Sequence, residues 1–124
     1  MIFDTNVFID YFRGLKNAQK IFSQHSELGM SVVSYYEILQ GIRNKTELKH
    51  FYDFLQDRNI QPLLFDEKQS LFCRILMEKY CLSHGLRMTD AMIASCCITH
   101  QEPFTTANIK DFRFLKELTL HSYR

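Results

Sequence analysis

Short apolar runs alternate with longer amphipathic stretches along the whole chain. Runs at positions 1–3, 29–33, 61–65, 103–105 and 118–122 have the length of strands and are bounded by polar or turn-forming residues. The stretches between them show helical spacing. Val7, Phe8, Tyr11 and Phe12 share one face of a helix predicted over 5–13 and stopped at Gly14, and a second helical segment covers 15–24. Ser34 is predicted to open a helix reaching about Arg43. Leu48, Phe51, Tyr52 and Leu55 form a stripe over 45–58. The longest helix is predicted over 67–84, with Leu71, Ile75 and Leu76 inward and Gly85 as its C-terminal stop. Positions 88–100 are apolar enough to be buried on most sides, and 108–115 read as a short helix or turn.

This alternation predicts an α/β fold occupying 1–124 as one domain: a central, mostly parallel sheet of about five strands with helices on both faces. The chain has 124 residues, of which 46% are hydrophobic and 23% charged, a globular balance that argues against disorder. Fifteen Lys and Arg against 14 Asp and Glu give a formal charge of +1, so local patches rather than net charge would steer a polyanion. No stretch reaches the ~20 apolar residues of a membrane span, and no basic-then-apolar leader opens the chain. The expected compartment is the cytoplasm, with no membrane partner. Cys73, Cys81, Cys96 and Cys97 fall in apolar helical patterns without CxxC spacing, and are expected to be reduced core residues. The five histidines lack ligand spacing, which argues against zinc.

Carboxylates change the picture. Asp4 directly follows the first apolar run, Glu37 follows the second, Asp90 falls in the first turn of the apolar helix, and Asp111 follows the fourth run and a turn at Asn108. A parallel sheet gathers such junctions at its carboxyl edge, where open α/β folds bind ligands. Each acid has a local explanation too. Asp4 can cap a helix, Ser34 with Glu37 and Asn108 with Asp111 have capping-box spacing, and Asp90 suits a helix N-terminus. By contrast Asp10, Asp53, Asp57 and Glu78 fall mid-helix and are expected to be solvated.

Thr5 and Asn6 beside Asp4, and Thr106 and Asn108 before Asp111, supply hydroxyls and amides that can fix carboxylate rotamers. Crowded carboxylates repel one another unless a cation sits among them. An oxygen-only donor set suits magnesium or manganese. Such an ion activates water and offsets charge on a phosphodiester. No HExxH, nucleophile elbow or phosphate-cradling glycine loop competes with that chemistry.

The segments DTNVFID from Asp4, SYYEILQG from Ser34, TDAMIA from Thr89 and TANIKDF from Thr106 resemble the signature segments of PIN-domain nucleases, closest to the VapC-type ribonuclease toxins. The resemblance covers nearly the whole chain in the same order. It implies that Asp4, Glu37, Asp90 and Asp111 surround one or two magnesium or manganese ions, with Thr5, Asn6, Thr106 and Asn108 as polar support. It further implies an endoribonuclease acting on structured RNA, such as a tRNA or a ribosomal RNA loop. A homodimer and a cognate VapB-type antitoxin that blocks the cleft are implied as well. Only three residues precede Asp4, fewer than relatives have.

Arg13, Lys16, Arg43, Lys45, Lys110 and Arg113 are candidate phosphate contacts at the predicted carboxyl edge. Phe12, Tyr35 and Tyr36 are candidates for a dimer or antitoxin groove. Three rivals exist. A receiver-like phosphotransfer domain would use Asp66, but it lacks an acidic pair after the first strand and a lysine after the last. A haloacid-dehalogenase-like phosphatase requires aspartate where Asn6 stands. The third is a catalytically inactive PIN-fold module that binds RNA or protein.

Overall fold

Three of the apolar runs meet as parallel strands. The computed structural model describes residues 1–123. In it β1 (Ile2–Phe3), β2 (Phe104–Thr106) and β3 (Leu120–Ser122) lie side by side in that order. Ile2 stands opposite Phe104, and Phe104 opposite Leu120. Seven helices connect and flank them among the described residues: α1 (Thr5–Phe12), α2 (Lys16–Ser23), α3 (Val32–Gly41), α4 (Lys45–Asp57), α5 (Glu67–His84), α6 (Met88–Thr99) and α7 (Ile109–Phe112).

Successive strand residues point to opposite faces of a sheet, and β1 shows the consequence. Ile2 packs with Leu76, Tyr80, Ile93 and Phe112 of α5, α6 and α7, whereas Phe3 packs with Val7, Phe8, Phe22, Ile38 and Phe51 of α1 to α4. Two helical layers therefore cover the two faces. Phe3, Phe8 and Phe22 are fully buried and meet edge-on or tilted, with centroids 5.0–6.3 Å apart. Each such ring contributes roughly 1.5–3 kcal/mol by burial.

Among the described residues the sheet has three strands rather than about five. Within 29–33, Gly29 bridges to Ile2 and Ser31 to Leu63, each as a single parallel pair. Val32 and Val33 leave the strand because Ser31, not Ser34, caps α3, its hydroxyl accepting the Ser34 N–H at 3.1 Å. Within 61–65 only Leu63 is bridged. Pro62 has no N–H to give a ladder, and Asp66 already opens α5 through a capping box with Gln69.

Other expectations shift with packing. Leu71 and Ile75 are 57% and 56% exposed, and the inward face of α5 is carried by Gln69, Leu76 and Tyr80. Asp10 is buried and accepts a hydrogen bond from the Tyr123 hydroxyl rather than facing water. All four cysteines are free, and Cys96 and Cys97 are buried, but Cys81 is exposed. Tyr52 leaves the α4 stripe for the surface, and Phe12 is exposed as well. No helix among the described residues is long and apolar enough to cross a membrane.

Gly29 is the tightest point. Its N–H donates to the Met1 carbonyl and its carbonyl accepts from Phe3, while a Cβ there would lie 2.7 Å from the Met1 oxygen and 2.8 Å from Ile2 Cγ1. Backbone cannot yield as a side-chain tip can. Gly29→Ala is expected to destabilise the fold by about 1–3 kcal/mol, read as a lower urea midpoint, and an unchanged midpoint would contradict this contact.

Candidate active site

The short parallel pair β1–β2 brings two chain reversals together at their carboxyl ends. Asp4 leaves β1 with its N–H bonded to the Thr105 carbonyl at 2.9 Å and caps α1, Oδ1 accepting from Thr5 N at 2.8 Å. Its other oxygen accepts from the Thr106 hydroxyl at 2.7 Å and from Asn6 Nδ2 at 3.2 Å. Asn6 Oδ1 in turn accepts from Ala107 N at 3.2 Å, and Thr106 Oγ1 from Asn108 N at 3.0 Å. The first and fourth motifs are thus stitched into one network around a carboxylate that is only 6% exposed.

Glu37 projects from α3, where its Oε1 accepts from the Thr5 hydroxyl at 2.7 Å. It therefore reaches across to α1 and does not return to Ser34 as a capping box would. Asp90 occupies the first turn of α6. Asp111 lies exposed on α7, whose Asn108 makes no side-chain cap bond, so that capping box is absent too.

The four acids share one electrostatic field. Burial pushes the Asp4 carboxyl above its usual range, and the Glu37 charge adds to this against the bonds from Thr106, Thr5 and Asn6. Asp90 is pushed up to about 6, first by burial and then by the charges of Asp4 and Asp111, with Glu37 adding less and Arg87 opposing. Negative charge is therefore costly at this edge, as expected for a place suited to a cation.

The donors are carboxylate, hydroxyl and amide oxygens, which fit magnesium or manganese. Among the described residues no three His, Cys, Asp or Glu side chains stand close enough to hold an ion directly between them. Magnesium habitually keeps several waters and one or two carboxylates, so a pair of these acids with the rest acting through water meets its requirement. A cavity of about 780 Å³ lies at the amino ends of the strands, lined by Met1, Gly29, Arg58, His100 and Glu102, and contains none of the four acids.

The sequence model of the PIN domain matches residues 1–116. The chain belongs to the PIN domain family. Solved structures agree on the PIN fold. VapBC2 from Rickettsia felis, bound to a DNA fragment from their promoter, superposes with TM-score 0.84 at 20% identity, covering 100% of both chains. DNA-bound VapBC from Salmonella typhimurium gives 0.84 at 16% identity, over 99% of this chain and 97% of that one. VapBC-1 from nontypeable Haemophilus influenzae gives 0.78 at 22% identity, over 99% and 98%. No curated protein matches the sequence.

Around this PIN-domain edge the basic candidates are spread unevenly. Lys110 and Arg113 flank Asp111 on α7 and are exposed. Arg13 caps the far end of α1, about a helix length from Asp4. Arg43 follows the end of α3 and pairs with Glu47 at 3.2 Å, while Lys16 and Lys45 are the first residues of α2 and α4. Arg87 escaped the sequence reading. It is the exposed residue that precedes α6, and its charge acts directly on Asp90. A basic residue one helical turn before an acid was the available signal.

Proposed function

We propose that this PIN-domain chain is a magnesium- or manganese-dependent endoribonuclease of the VapC type, the toxin of a type II toxin–antitoxin pair. The reading rests on one observation: at the carboxyl end of the parallel pair β1–β2, Thr5 bonds both Asp4 and Glu37 and Thr106 bonds Asp4, with Asp90 and Asp111 near enough for the acids' charges to interact. Its substrate is structured RNA, a tRNA or ribosomal RNA, and its compartment the cytoplasm. The whole of 1–124 serves as one catalytic domain.

Asp4, Asp90 and Glu37, with Asp111 at the rim, are the residues that would hold the metal, two of them directly and the others through its waters. The bound ion would polarise the phosphodiester and make a nucleophile of water. The chain's own part follows from its hydrogen bonds. Thr5 occupies one oxygen of Glu37, leaving the other to take the proton of the attacking water as its oxygen bonds to phosphorus. The bond from phosphorus to the leaving ribose oxygen then breaks, and that oxygen takes a proton from solvent water. Thr106 and Asn6 keep Asp4 in one orientation throughout. Lys110, Arg113 and Arg87 are placed to meet phosphates, with Arg13 and Arg43 farther along the strand of RNA.

The partners in this reading are a VapB-type antitoxin and a second copy of the chain. The exposed stripe of Leu71, Ile75 and Leu82 on α5 supports the homodimer. A two-fold interface pairs one patch with itself, and antiparallel α5 helices would set Leu71 against Leu82.

The test is metal dependence. Purified protein is expected to cleave RNA with Mg²⁺ or Mn²⁺, to stop on addition of EDTA and to resume with excess Mn²⁺. Cleavage that ignores EDTA would remove the metal from the reading, and RNA binding without cleavage would favour the inactive module.

A further inference from the structure

Ser34 is not the helix cap its position suggests, and its hydroxyl has other work. We propose that Ser31, Ser34 and Thr5 form a directional chain of hydroxyls that fixes the orientation of Glu37, with Ser34 as a positioning residue. Its functional consequence rests on the nuclease reading above. Its structural content does not.

The contacts run without a gap. Ser31 Oγ and Ser34 Oγ are 3.3 Å apart, Ser34 Oγ and Thr5 Oγ1 2.9 Å, and Thr5 Oγ1 and Glu37 Oε1 2.7 Å. Ser31 and Ser34 are 2% and 0% exposed, so bulk water does not reach these hydroxyls. A hydroxyl has one proton, and a carboxylate oxygen can only accept. Thr5 stands within bonding distance of both Ser34 and Glu37, and its proton goes to the nearer, anionic acceptor, because charge-assisted bonds are the stronger. The Ser34–Thr5 contact is then satisfied by the Ser34 proton, and the Ser31–Ser34 contact by the Ser31 proton. Ser31 Oγ accepts from the Ser34 N–H at 3.1 Å, which closes the chain at the cap of α3. Every proton in the series points toward Glu37, an arrangement in which successive bonds polarise one another.

A serine inside a helix ordinarily bonds back to a carbonyl one turn earlier. Ser34 instead faces Thr5, which is 29 residues away on another helix. Nor does capping require its hydroxyl, since Ser31 alone makes that bond through the Ser34 backbone. Removing Ser34 Oγ would leave the Ser31 proton without a partner and free Thr5 to turn, so Glu37 would lose its fixed oxygen.

Three measurements on the full chain decide this. In a crystal structure of Ser34→Ala at high resolution, Glu37 is expected to leave the Thr5 contact or to occupy several rotamers. The dissociation constant for Mn²⁺ without RNA, followed by electron paramagnetic resonance, is expected to rise about 10-fold or more, with kcat falling about 10–100-fold and KM little changed. Finally, Ser34→Ala combined with Thr5→Val should be no worse than Thr5→Val alone, because both act through one bond. If Ser34→Ala folds poorly, the comparison moves to Thr5→Ser, expected to keep Mn²⁺ affinity, against Thr5→Val, expected to lose it. Glu37 unmoved in the variant structure, or full additivity in the double variant, overturns the proposal. A parent chain that neither binds Mn²⁺ nor cuts RNA removes the nuclease reading alone, and the Glu37 rotamer still settles the hydroxyl chain.

Discussion

Asp4→Asn is expected to lower RNA cleavage by about 10³-fold or more, the scale seen when one member of a concerted catalytic group is removed, with the fold retained. Asp4 accepts three hydrogen bonds, from Thr5 N, Thr106 Oγ1 and Asn6 Nδ2. An asparagine keeps one oxygen for these donors and presents an NH₂ to the rest, a partial loss. Against this, it abolishes the cost of burying a charge whose protonation is already favoured by desolvation and by Glu37. The two effects oppose each other, so the melting temperature should move by only a few degrees. Cleavage assays beside circular-dichroism melts read both quantities. A folded Asp4→Asn protein as active as the parent would take Asp4 out of the mechanism.

Asp90→Asn is expected to lose activity and gain stability, a combination that an ordinary structural residue does not show. The Asp90 carboxyl is pushed up to about 6 in the folded state, against ~3.9 in an unfolded chain. Above pH 6 both states are ionised and the folded one bears the full cost of burying the charge and of crowding it against Asp4 and Asp111. As the pH falls from 6 toward 4 the folded state takes up its proton first, and the cost fades. Below about pH 4 both states are protonated. Two pKa units correspond to nearly 3 kcal/mol. Solvent screening of a half-buried carboxyl reduces this to about 1 kcal/mol, or a few degrees in melting temperature. The gain should therefore be seen at pH 7.5 and be absent at pH 4. Added Mn²⁺ should stabilise the parent more than the variant. Equal melting temperatures of parent and variant at pH 7.5 would show that the Asp90 charge carries no cost of burial or crowding in the folded state.

The sequence was most informative where a signal is local. Gly85 ends α5 with φ 67° as a left-handed cap, and Asp4 caps the helix that follows it. The order of strands and helices was legible for the same reason, since apolar spacing records which face of an element is buried. Asp4 was a candidate by its position after a strand, and Asp90 and Asp111 by theirs in first turns; Thr5, Asn6 and Thr106, which bond to Asp4 or Glu37, were candidates by adjacency. Asn108 joins through its backbone N–H, which no side-chain pattern announces.

Particular failures share a cause in partners distant along the chain. α5 carries two apolar stripes, Leu71–Ile75–Leu82 and the one through Leu76 and Tyr80. Periodicity alone cannot choose between them. Buried Gln69, locked in its capping box, and the contacts of Leu76 and Tyr80 with α6 and α7 residues fix which one faces in. Asp10 looked solvated because the residue that covers it, Tyr123, is more than a hundred positions away.

By itself the sequence determined most helix boundaries and which acids were candidates for the chemistry, because caps, turns and apolar spacing act over a few neighbouring residues. Only the tertiary structure decided that 29–33 and 61–65 are reduced to bridges, that Glu37 is held by Thr5, and that the acids feel one another's charge. Those outcomes depend on strand pairing and on Coulomb fields between segments that meet only when the chain is folded.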